Sequence, residues 1–207
     1  KFKTNSDTEV LLKMLNIYGE NAVKYLDGMW AFAYFSKKKN KMILSRDMFG
    51  EKPLYYTCNT KQIIFASNLK YIETILKKKF IFNLKKIEKF LAFGFKEFGN
   101  DNQTIFKNIN CLLPGHTMVI DQKNRRKIKK YAFFKKSSTL KKDYYKAADT
   151  LRSKLNITFK TRFRADVRLS SLLSGGLDSS SIAAFAQKQK KDISYFSLKH
   201  YSKNYNE

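Results

Sequence analysis

The sequence predicts an α/β protein that is α+β in part. The first part is predicted to form an antiparallel sheet, and the second part a parallel sheet. The first part, residues 1–134, alternates short apolar segments with Gly, Asn and Lys turns, a pattern typical of antiparallel strands. In the second part, residues 143–207, a short β-compatible segment at 167–173 leads into an Ala-rich helical segment at 180–187, the order found in parallel sheets. The Lys-rich and Ser-containing stretch at 135–142 is predicted to be the linker.

The first part is predicted to begin with a helix at 8–18, because Ser6 and Glu9 stand at capping-box spacing before an apolar run. The apolar segment 26–35 predicts a buried strand. A Lys/Asn turn, a second strand and a loop with Gly and Pro follow it, so we expect an antiparallel meander. In order, the predicted strands are 29–35, 42–45, 54–57 and 62–67, and the helices after them are 69–78 and 84–93.

A hairpin and a long helix complete the predicted elements. The segments 117–121 and 128–134 flank a polar turn at 122–127 and predict a β-hairpin. Beyond the linker, residues 143–159 predict a helix with one apolar stripe. The stripe consists of Tyr144, Ala147, Ala148, Leu151, Leu155 and Phe159. A last strand is predicted at 193–198.

The most informative run lies between the strand and the helix of the second part and reads Ser-Gly-Gly-Leu-Asp-Ser-Ser at 174–180. Adjacent glycines let the backbone approach an anion, N–H groups at a helix start favour phosphate, and a carboxylate can hold the Mg²⁺ of a nucleotide. The run is not a Walker A loop, because no lysine follows the glycines. It predicts a phosphate site, and the alternative is a plain turn in which Asp178 and Ser179 only cap the helix.

Strings in both parts resemble one known family. The run at 174–180 resembles the pyrophosphate-binding loop of the PP-loop ATP pyrophosphatases. In the first part, Asp-Gly-Met-Trp-Ala-Phe-Ala at 27–33 and Ser-Arg-Asp-Met-Phe-Gly-Glu-Lys-Pro-Leu-Tyr-Tyr at 45–56 resemble the glutamine amidotransferase domain of the asparagine synthase family. The segments at 113–116 and 162–167 also resemble this family, and all these strings occur in its order.

This resemblance implies two domains. Residues 1–134 would form an N-terminal nucleophile hydrolase αββα sandwich that releases ammonia from glutamine, and residues 143–207 would begin a PP-loop domain that binds ATP. In the family, aspartate is activated as its β-aspartyl adenylate, and ammonia displaces AMP to give asparagine. The implied substrates are glutamine, aspartate and ATP, and the implied cofactor is Mg²⁺. The resemblance also implies a cytoplasmic enzyme, with a homodimer as a candidate assembly.

The same resemblance carries site residues onto this sequence. Asp7 matches the aspartate that contacts the amino group of glutamine, although its place beside a helix start also suits a capping segment. Asp178 matches a ligand of Mg²⁺ in the ATP site. Leu172 matches a residue that lines the adenine nucleotide site, and the alternative for it is an ordinary core position. The pyrophosphate-binding positions are matched by Ser174, Gly175, Gly176, Ser179 and Ser180.

Two departures from the family pattern limit what the resemblance implies. The glutaminase nucleophile of the family is a cysteine at the mature N-terminus, whereas this chain begins Lys-Phe-Lys and has Cys58 and Cys111 elsewhere. No catalytic residue is therefore assigned, both cysteines are interpreted as small buried residues, and the chain is expected to be an internal fragment that is inactive alone. Many family members have Pro-Val-Gly where this chain has Arg-Leu-Ser at 168–170, so another carboxylate acceptor is an alternative.

The charge raises further alternatives, since 42 Lys and Arg against 17 Asp and Glu give a formal net charge of +25. Such a charge would suit a tRNA-modifying PP-loop ligase or a basic nucleic-acid-binding protein. The charge is spread along the chain and is mostly lysine, which we interpret as drift in composition, so no nucleic-acid partner is expected. No stretch reaches the length of a membrane span, and the two cysteines lack metal-type spacing.

Overall fold

The computed structural model describes residues 1–94, 101–133 and 143–199. The chain divides into two compact units, residues 1–135 and 136–207. The predicted linker at 135–142 lies outside the described residues. The predicted domain boundaries therefore stay predictions.

Helix α1, Asp7–Tyr18, confirms the first predicted helix. Its N-cap is Ser6, whose hydroxyl accepts a hydrogen bond of 3.2 Å from a backbone N–H of the first turn. The predicted capping box is wrong, because the Glu9 carboxylate instead accepts hydrogen bonds from the backbone N–H groups of residues 3 and 4. A 3₁₀ helix, Gly19–Tyr25, follows α1 and is not indicated by the sequence patterns.

The strands described in the first unit form two antiparallel sheets. They are β1 Ala31–Ser36, β2 Lys41–Arg46, β3 Tyr55–Cys58, β4 Ile63–Ala66, β5 Asn110–Cys111, β6 His116–Ile120 and β7 Arg126–Lys130. The first sheet has the order β1-β2-β6-β7, and the second has the order β4-β3-β5. Local hairpins are therefore joined by two long-range pairs, β2 with β6 and β3 with β5.

The predicted meander is wrong beyond its first two strands. β1 and β2 pair with each other, but β3 lies in the second sheet. The reason is the loop at 47–54, which carries the chain from one sheet to the other. The predicted buried strand at 26–35 is also wrong in its start and its burial, since β1 begins at Ala31 and none of its residues is buried.

The main core lies between the two sheets. Leu44 on β2 and Met118 on β6 pack with Tyr56 on β3. Consecutive residues of a strand point to opposite faces, so Ile43 packs on the other face against Leu15 of α1. Because its residues alternate between the two faces of the sheet, β2 contributes both to the core between the two sheets and to the core between α1 and the first sheet.

Two further helices and one hairpin complete this unit. Helix α2, Leu69–Leu76, contacts β3 and β4, so the layers run α1, first sheet, second sheet, α2. Helix α3, Leu84–Phe93, has the predicted bounds. The predicted hairpin is confirmed as β6 and β7, but its turn is the shorter segment 121–125, because the Asp121 carboxylate accepts hydrogen bonds from two backbone N–H groups and closes it.

The second unit contains α4 Tyr144–Arg162, β8 Leu169–Leu172, α5 Leu177–Lys188 and β9 Ile193–Phe196 in its described part. β8 and β9 pair in parallel, so the chain forms a β-α-β arrangement. α5 begins before the predicted residue 180, since Gly176 is its N-cap. Phe159 of α4 stacks on Phe185 of α5, with 4.8 Å between ring centroids, yet the predicted stripe of α4 has no buried residue. Among the described helices, none has the length and apolar character that crossing a membrane requires.

Candidate functional site

A cavity of about 680 Å³ lies in the first unit, between α1, the segment before β1 and the loop before β3. Its lining comprises Asp7, Thr8, Val10, Leu11, Leu26, Asp27, Gly28, Met29, Trp30, Ala31, Lys52, Pro53 and Ser67. Charged residues of both signs thus stand among apolar side chains. A lining of this kind suits a small zwitterionic ligand, because apolar walls give shape and a few charged groups give orientation.

The structure places Asp7 in the lining of this cavity, at the first residue of α1. The Thr8 hydroxyl donates a hydrogen bond of 3.4 Å to Asp7 Oδ1, and the Asp7 side chain is exposed. The positive end of a helix dipole attracts negative charge to this position. Such a carboxylate can accept hydrogen bonds from an ammonium group, and the role of Asp7 in binding glutamine stays a prediction.

Two buried charged residues shape one wall of the cavity and were not singled out by sequence reasoning. They are Arg46, which ends β2, and Asp47, which follows it, and their side chains bind the backbone of the next loop. Burial raises the pKa of Asp47, but hydrogen bonds from the backbone N–H groups of Lys52, Glu51 and Phe49 outweigh this effect, so the pKa lies below its usual value. The signal in the sequence is a pair of opposite charges at the end of an apolar strand, before a loop with Gly and Pro.

In the second unit, the loop between β8 and α5 contains the two predicted glycines. Gly175 has a φ of +100°, a region that glycine enters without strain. Gly176 is the N-cap of α5, and no side chain caps it. The first N–H groups of a helix have no intrahelical acceptor, so an uncapped N-terminus is suited to an anion.

The serines of this loop bind the loop itself. Ser174 Oγ accepts a hydrogen bond of 3.3 Å from the Gly176 N–H and lies 3.2 Å from Ser179 Oγ. Ser180 Oγ donates to the Gly175 carbonyl at 3.3 Å. These hydroxyls hold the loop in shape, and each can also bind a phosphate oxygen because a hydroxyl both donates and accepts.

Asp178 and Leu172 flank this loop in exposed positions. Asp178 lies in the first turn of α5, and the alternative that it caps the helix is wrong, since α5 has no side-chain cap. Leu172, at the end of β8, is 74% exposed. One carboxylate beside bound phosphates is a donor set that Mg²⁺ accepts. Within 1–94, 101–133 and 143–199, no group of three or more His, Cys, Asp and Glu residues is placed to hold a metal ion. The nucleotide-site roles stay predictions.

Neither of the two cysteines lines the cavity that contains Asp7. Both are half-buried, so the expectation that they are buried is wrong. Arg46 donates a hydrogen bond of 3.0 Å to Cys111 Sγ. Cys111 therefore belongs to the surroundings of the buried arginine.

Comparison with known proteins finds two family matches in succession. Residues 1–132 match the glutamine amidotransferase domain, and residues 150–207 match asparagine synthase. The chain is 36% identical over 183 residues to a Methanocaldococcus jannaschii protein provisionally named glutamine-hydrolysing asparagine synthetase 2, over 87% of this chain and 35% of that protein. It is 31% identical over 199 residues to glutamine-hydrolysing asparagine synthetase 1 of Bacillus subtilis, over 95% of this chain and 30% of that protein.

A third relative carries a different name. The chain is 27% identical over 197 residues to amidase chry2 of Gibberella zeae, over 88% of this chain and 27% of that protein. The chain thus spans about a third of the length of the first relatives that it matches, 35% and 30%.

Proposed function

Because the chain belongs to the glutamine amidotransferase domain family, we propose that the full-length gene product is an ATP-dependent, glutamine-hydrolysing asparagine synthase. The observation that carries the proposal is the order of two matches in one chain, amidotransferase at 1–132 and synthase at 150–207. Glutamine is the nitrogen donor at the first unit, and the second unit contributes to the site that uses ATP.

The proposed reaction couples two chemical steps. ATP first activates the β-carboxyl of aspartate as an acyl adenylate, and pyrophosphate leaves. Ammonia, which water releases from the glutamine amide to leave glutamate, then attacks the activated carbonyl carbon, and AMP leaves with the electron pair of the broken C–O bond. The products are asparagine, glutamate, AMP and pyrophosphate.

In the first unit, Asp7 binds the α-ammonium group of glutamine at the wall of the cavity. An exposed carboxylate at a helix N-terminus supports this role, because its charge is opposite to that of the ammonium group. The fold we propose for this unit is the nucleophile hydrolase αββα sandwich. The layers of α1, two antiparallel sheets and α2 support that assignment.

In the second unit, the loop before α5 holds the pyrophosphate part of ATP. The proposed ligands are the N–H groups of Gly175 and Gly176, the hydroxyls of Ser174, Ser179 and Ser180, and Leu172 beside the adenine nucleotide. Asp178 would hold Mg²⁺, which when bound would supply positive charge beside the pyrophosphate. The parallel pair β8 and β9 with α5 between them supports a PP-loop domain, since open α/β folds bind ligands at the carboxyl ends of their strands.

A second candidate function is amide transfer to a carboxylate other than aspartate. It is supported by the Arg-Leu-Ser approach to the loop at 168–170 and by the likeness to a protein named amidase. A cytoplasmic location and a homodimer also remain proposals. No nucleic-acid or membrane partner is part of either candidate.

Exchange of labelled pyrophosphate into ATP tests the proposed site in the full-length gene product. We expect exchange that requires both Mg²⁺ and aspartate, because formation of the adenylate is reversible. Asp178→Ala should lower the exchange rate by about 100-fold or more, since pyrophosphate loses its bound counter-charge. Asp192→Ala, which removes an exposed carboxylate beyond the end of α5, is the matched control and should stay within about twofold of the original rate.

The same assay separates the alternatives. Exchange that requires another carboxylate in place of aspartate favours the second candidate. Absence of Mg·ATP binding, together with salt-sensitive RNA binding that Asp178→Ala leaves intact, would contradict both candidates and favour a nucleic-acid-binding protein.

A further inference from the structure

The Asp47 carboxylate binds one backbone loop of the cavity wall. Asp47 is 0% exposed. Its Oδ1 accepts hydrogen bonds of 3.0 Å from the N–H groups of Phe49 and Glu51, and its Oδ2 accepts one of 2.9 Å from the N–H of Lys52. Three backbone N–H groups within residues 49–52 are therefore bound to one side chain. Lys52 itself lines the cavity.

Arg46 binds the carbonyl groups of the same loop. Its Nε donates to the Lys52 carbonyl at 2.8 Å, and a terminal nitrogen donates to the Gly50 carbonyl at 2.7 Å. Gly50 has a φ of +69°, and a Cβ on it would come within 2.9 Å of the Arg46 guanidinium carbon. The loop is thus held through its N–H groups by Asp47, through its carbonyls by Arg46, and by a glycine that no larger residue can replace without strain.

The backbone of Asp47 also joins a second segment of the wall. Its N–H donates to the Trp30 carbonyl at 2.9 Å, and Trp30 Nε1 donates to Ser45 Oγ at 3.3 Å. Trp30 and Lys52 both line the cavity that contains Asp7. Asp47 therefore connects two wall segments that are 22 residues apart in the sequence, as the numbers of Trp30 and Lys52 show.

Stability alone does not explain two charged side chains at this place. Removing a charge from water is costly, and apolar residues of similar volume often fill such positions at less cost. The retained carboxylate and guanidinium instead specify one loop conformation, because each makes several directed hydrogen bonds. We propose that Asp47 is a positioning residue for the cavity that contains Asp7. It fixes the loop at Phe49–Lys52 so that the cavity wall fits glutamine. This inference rests on the proposed function, since it takes glutamine as the ligand.

The test compares two nitrogen sources in the full-length gene product. Asp47→Asn keeps the volume and removes the charge and one acceptor oxygen from the loop. We expect the KM for glutamine to rise by about tenfold, while synthesis from added ammonium chloride stays within about twofold, because free ammonia does not need the cavity. A fold that is merely weakened would lower both rates together.

Asp121→Asn is the matched control, because Asp121 closes the turn between β6 and β7 with the same kind of carboxylate-to-backbone bonds and does not line the cavity. It should leave the KM for glutamine unchanged. Should Asp47→Asn lose both activities, Gly50→Ala strains the same loop while keeping the Asp47 carboxylate, and the same split between glutamine and ammonia is expected.

The inference is overturned by an unchanged KM for glutamine in folded Asp47→Asn, by an equal rise in Asp121→Asn, or by a parallel loss of both activities in Asp47→Asn and Gly50→Ala. Failure of the proposed function itself would be recognised in the unsubstituted protein, which would then make asparagine from ammonia and never from glutamine.

Discussion

Carboxylates that accept backbone N–H groups hold several turns of the first unit. Asp47 closes the loop before β3, Asp121 closes the turn between β6 and β7, and Glu9 ties residues 3 and 4 to α1. These hydrogen bonds favour the ionised carboxylate and place the pKa of each below its usual value, at Asp47 against the effect of burial. The local geometry of these turns is therefore linked to protonation.

Glu9 gives the clearest pH dependence. The Lys3 N–H, the Lys13 ammonium and the Thr4 hydroxyl lower the pKa of Glu9 from 4.5 to about 2. Because the folded-state pKa lies below the unfolded value, the stabilising contribution is fully present above pH 4.5 and is lost as the pH falls towards 2. NMR titration of the Glu9 carboxyl carbon should show a midpoint near 2, and Thr4→Val should raise it. A midpoint at 4.5 in the unsubstituted chain would contradict the contact.

Asp7 should affect glutamine use alone. In the full-length gene product, Asp7→Ala removes the carboxylate that binds the ammonium group, so the KM for glutamine should rise by about tenfold or more. The rate with ammonia should not change. Asp149→Ala, which removes an exposed carboxylate on α4, serves as the control. Equal glutamine KM values for the two variants would remove Asp7 from the proposed binding site.

Candidate residues could be predicted where their chemistry is local in the sequence. Asp7 and the loop at 174–180 belong to short runs whose residue types alone indicate a function, and the loop is exposed in the structure. Arg46 and Asp47 also belong to such a run, but some of their partners are distant in the sequence. One of these is the Leu112 carbonyl, which accepts a hydrogen bond of 2.8 Å from Arg46. Pairing over that distance along the chain has no signature in a single sequence.

At the scale of elements, apolar periodicity predicted the strands and helices, but it did not predict which strands share a sheet. Helix α3 has the predicted bounds, and β6 and β7 form the predicted hairpin. The meander failed because β2 pairs with β6, with Leu44 opposite Met118. Apolar alternation indicates which face of a strand is buried, but it does not identify the neighbouring strand.

The core between the sheets can be tested at Leu44, which is 0% exposed. Leu44→Ala should lower the free energy of unfolding by about 2–5 kcal/mol, because it removes packed methyl groups and leaves a cavity. Ile128→Ala on the exposed strand β7 is the control and should change it by about 0.5 kcal/mol or less. Urea unfolding can be followed by the fluorescence of Trp30, the single tryptophan. Equal losses for the two variants would contradict the two-sheet core.

At the scale of the whole molecule, the net charge of +25 includes a group of basic residues on one exposed strand, β7. All five residues of β7, at the end of the first sheet, are exposed, and four of them are Lys or Arg. Charged side chains on an edge strand oppose pairing with other chains. Lys129 on this strand forms an ion pair with Glu20. These placements give the basic residues of β7 a structural explanation that requires no nucleic acid.

The family was predicted from strings in both parts of the chain and is confirmed by the comparisons, because residues 1–132 match the amidotransferase model and residues 150–207 match the synthase model. These strings lie in both units and in the order found in the family, so the assignment did not depend on a single motif. The acceptor could not be predicted in the same way. The choice of acceptor depends on contacts that β8, the loop after it and α5 do not define.

Transfer of ¹⁵N from the glutamine side chain tests the central claim most directly. The full-length gene product is incubated with glutamine labelled at the amide nitrogen, aspartate and Mg·ATP, and the products are analysed by mass spectrometry. The proposed function predicts ¹⁵N in the side-chain amide of asparagine, with one AMP and one pyrophosphate formed for each asparagine. Labelled ammonia without labelled asparagine, or ADP and phosphate in place of AMP and pyrophosphate, would contradict it.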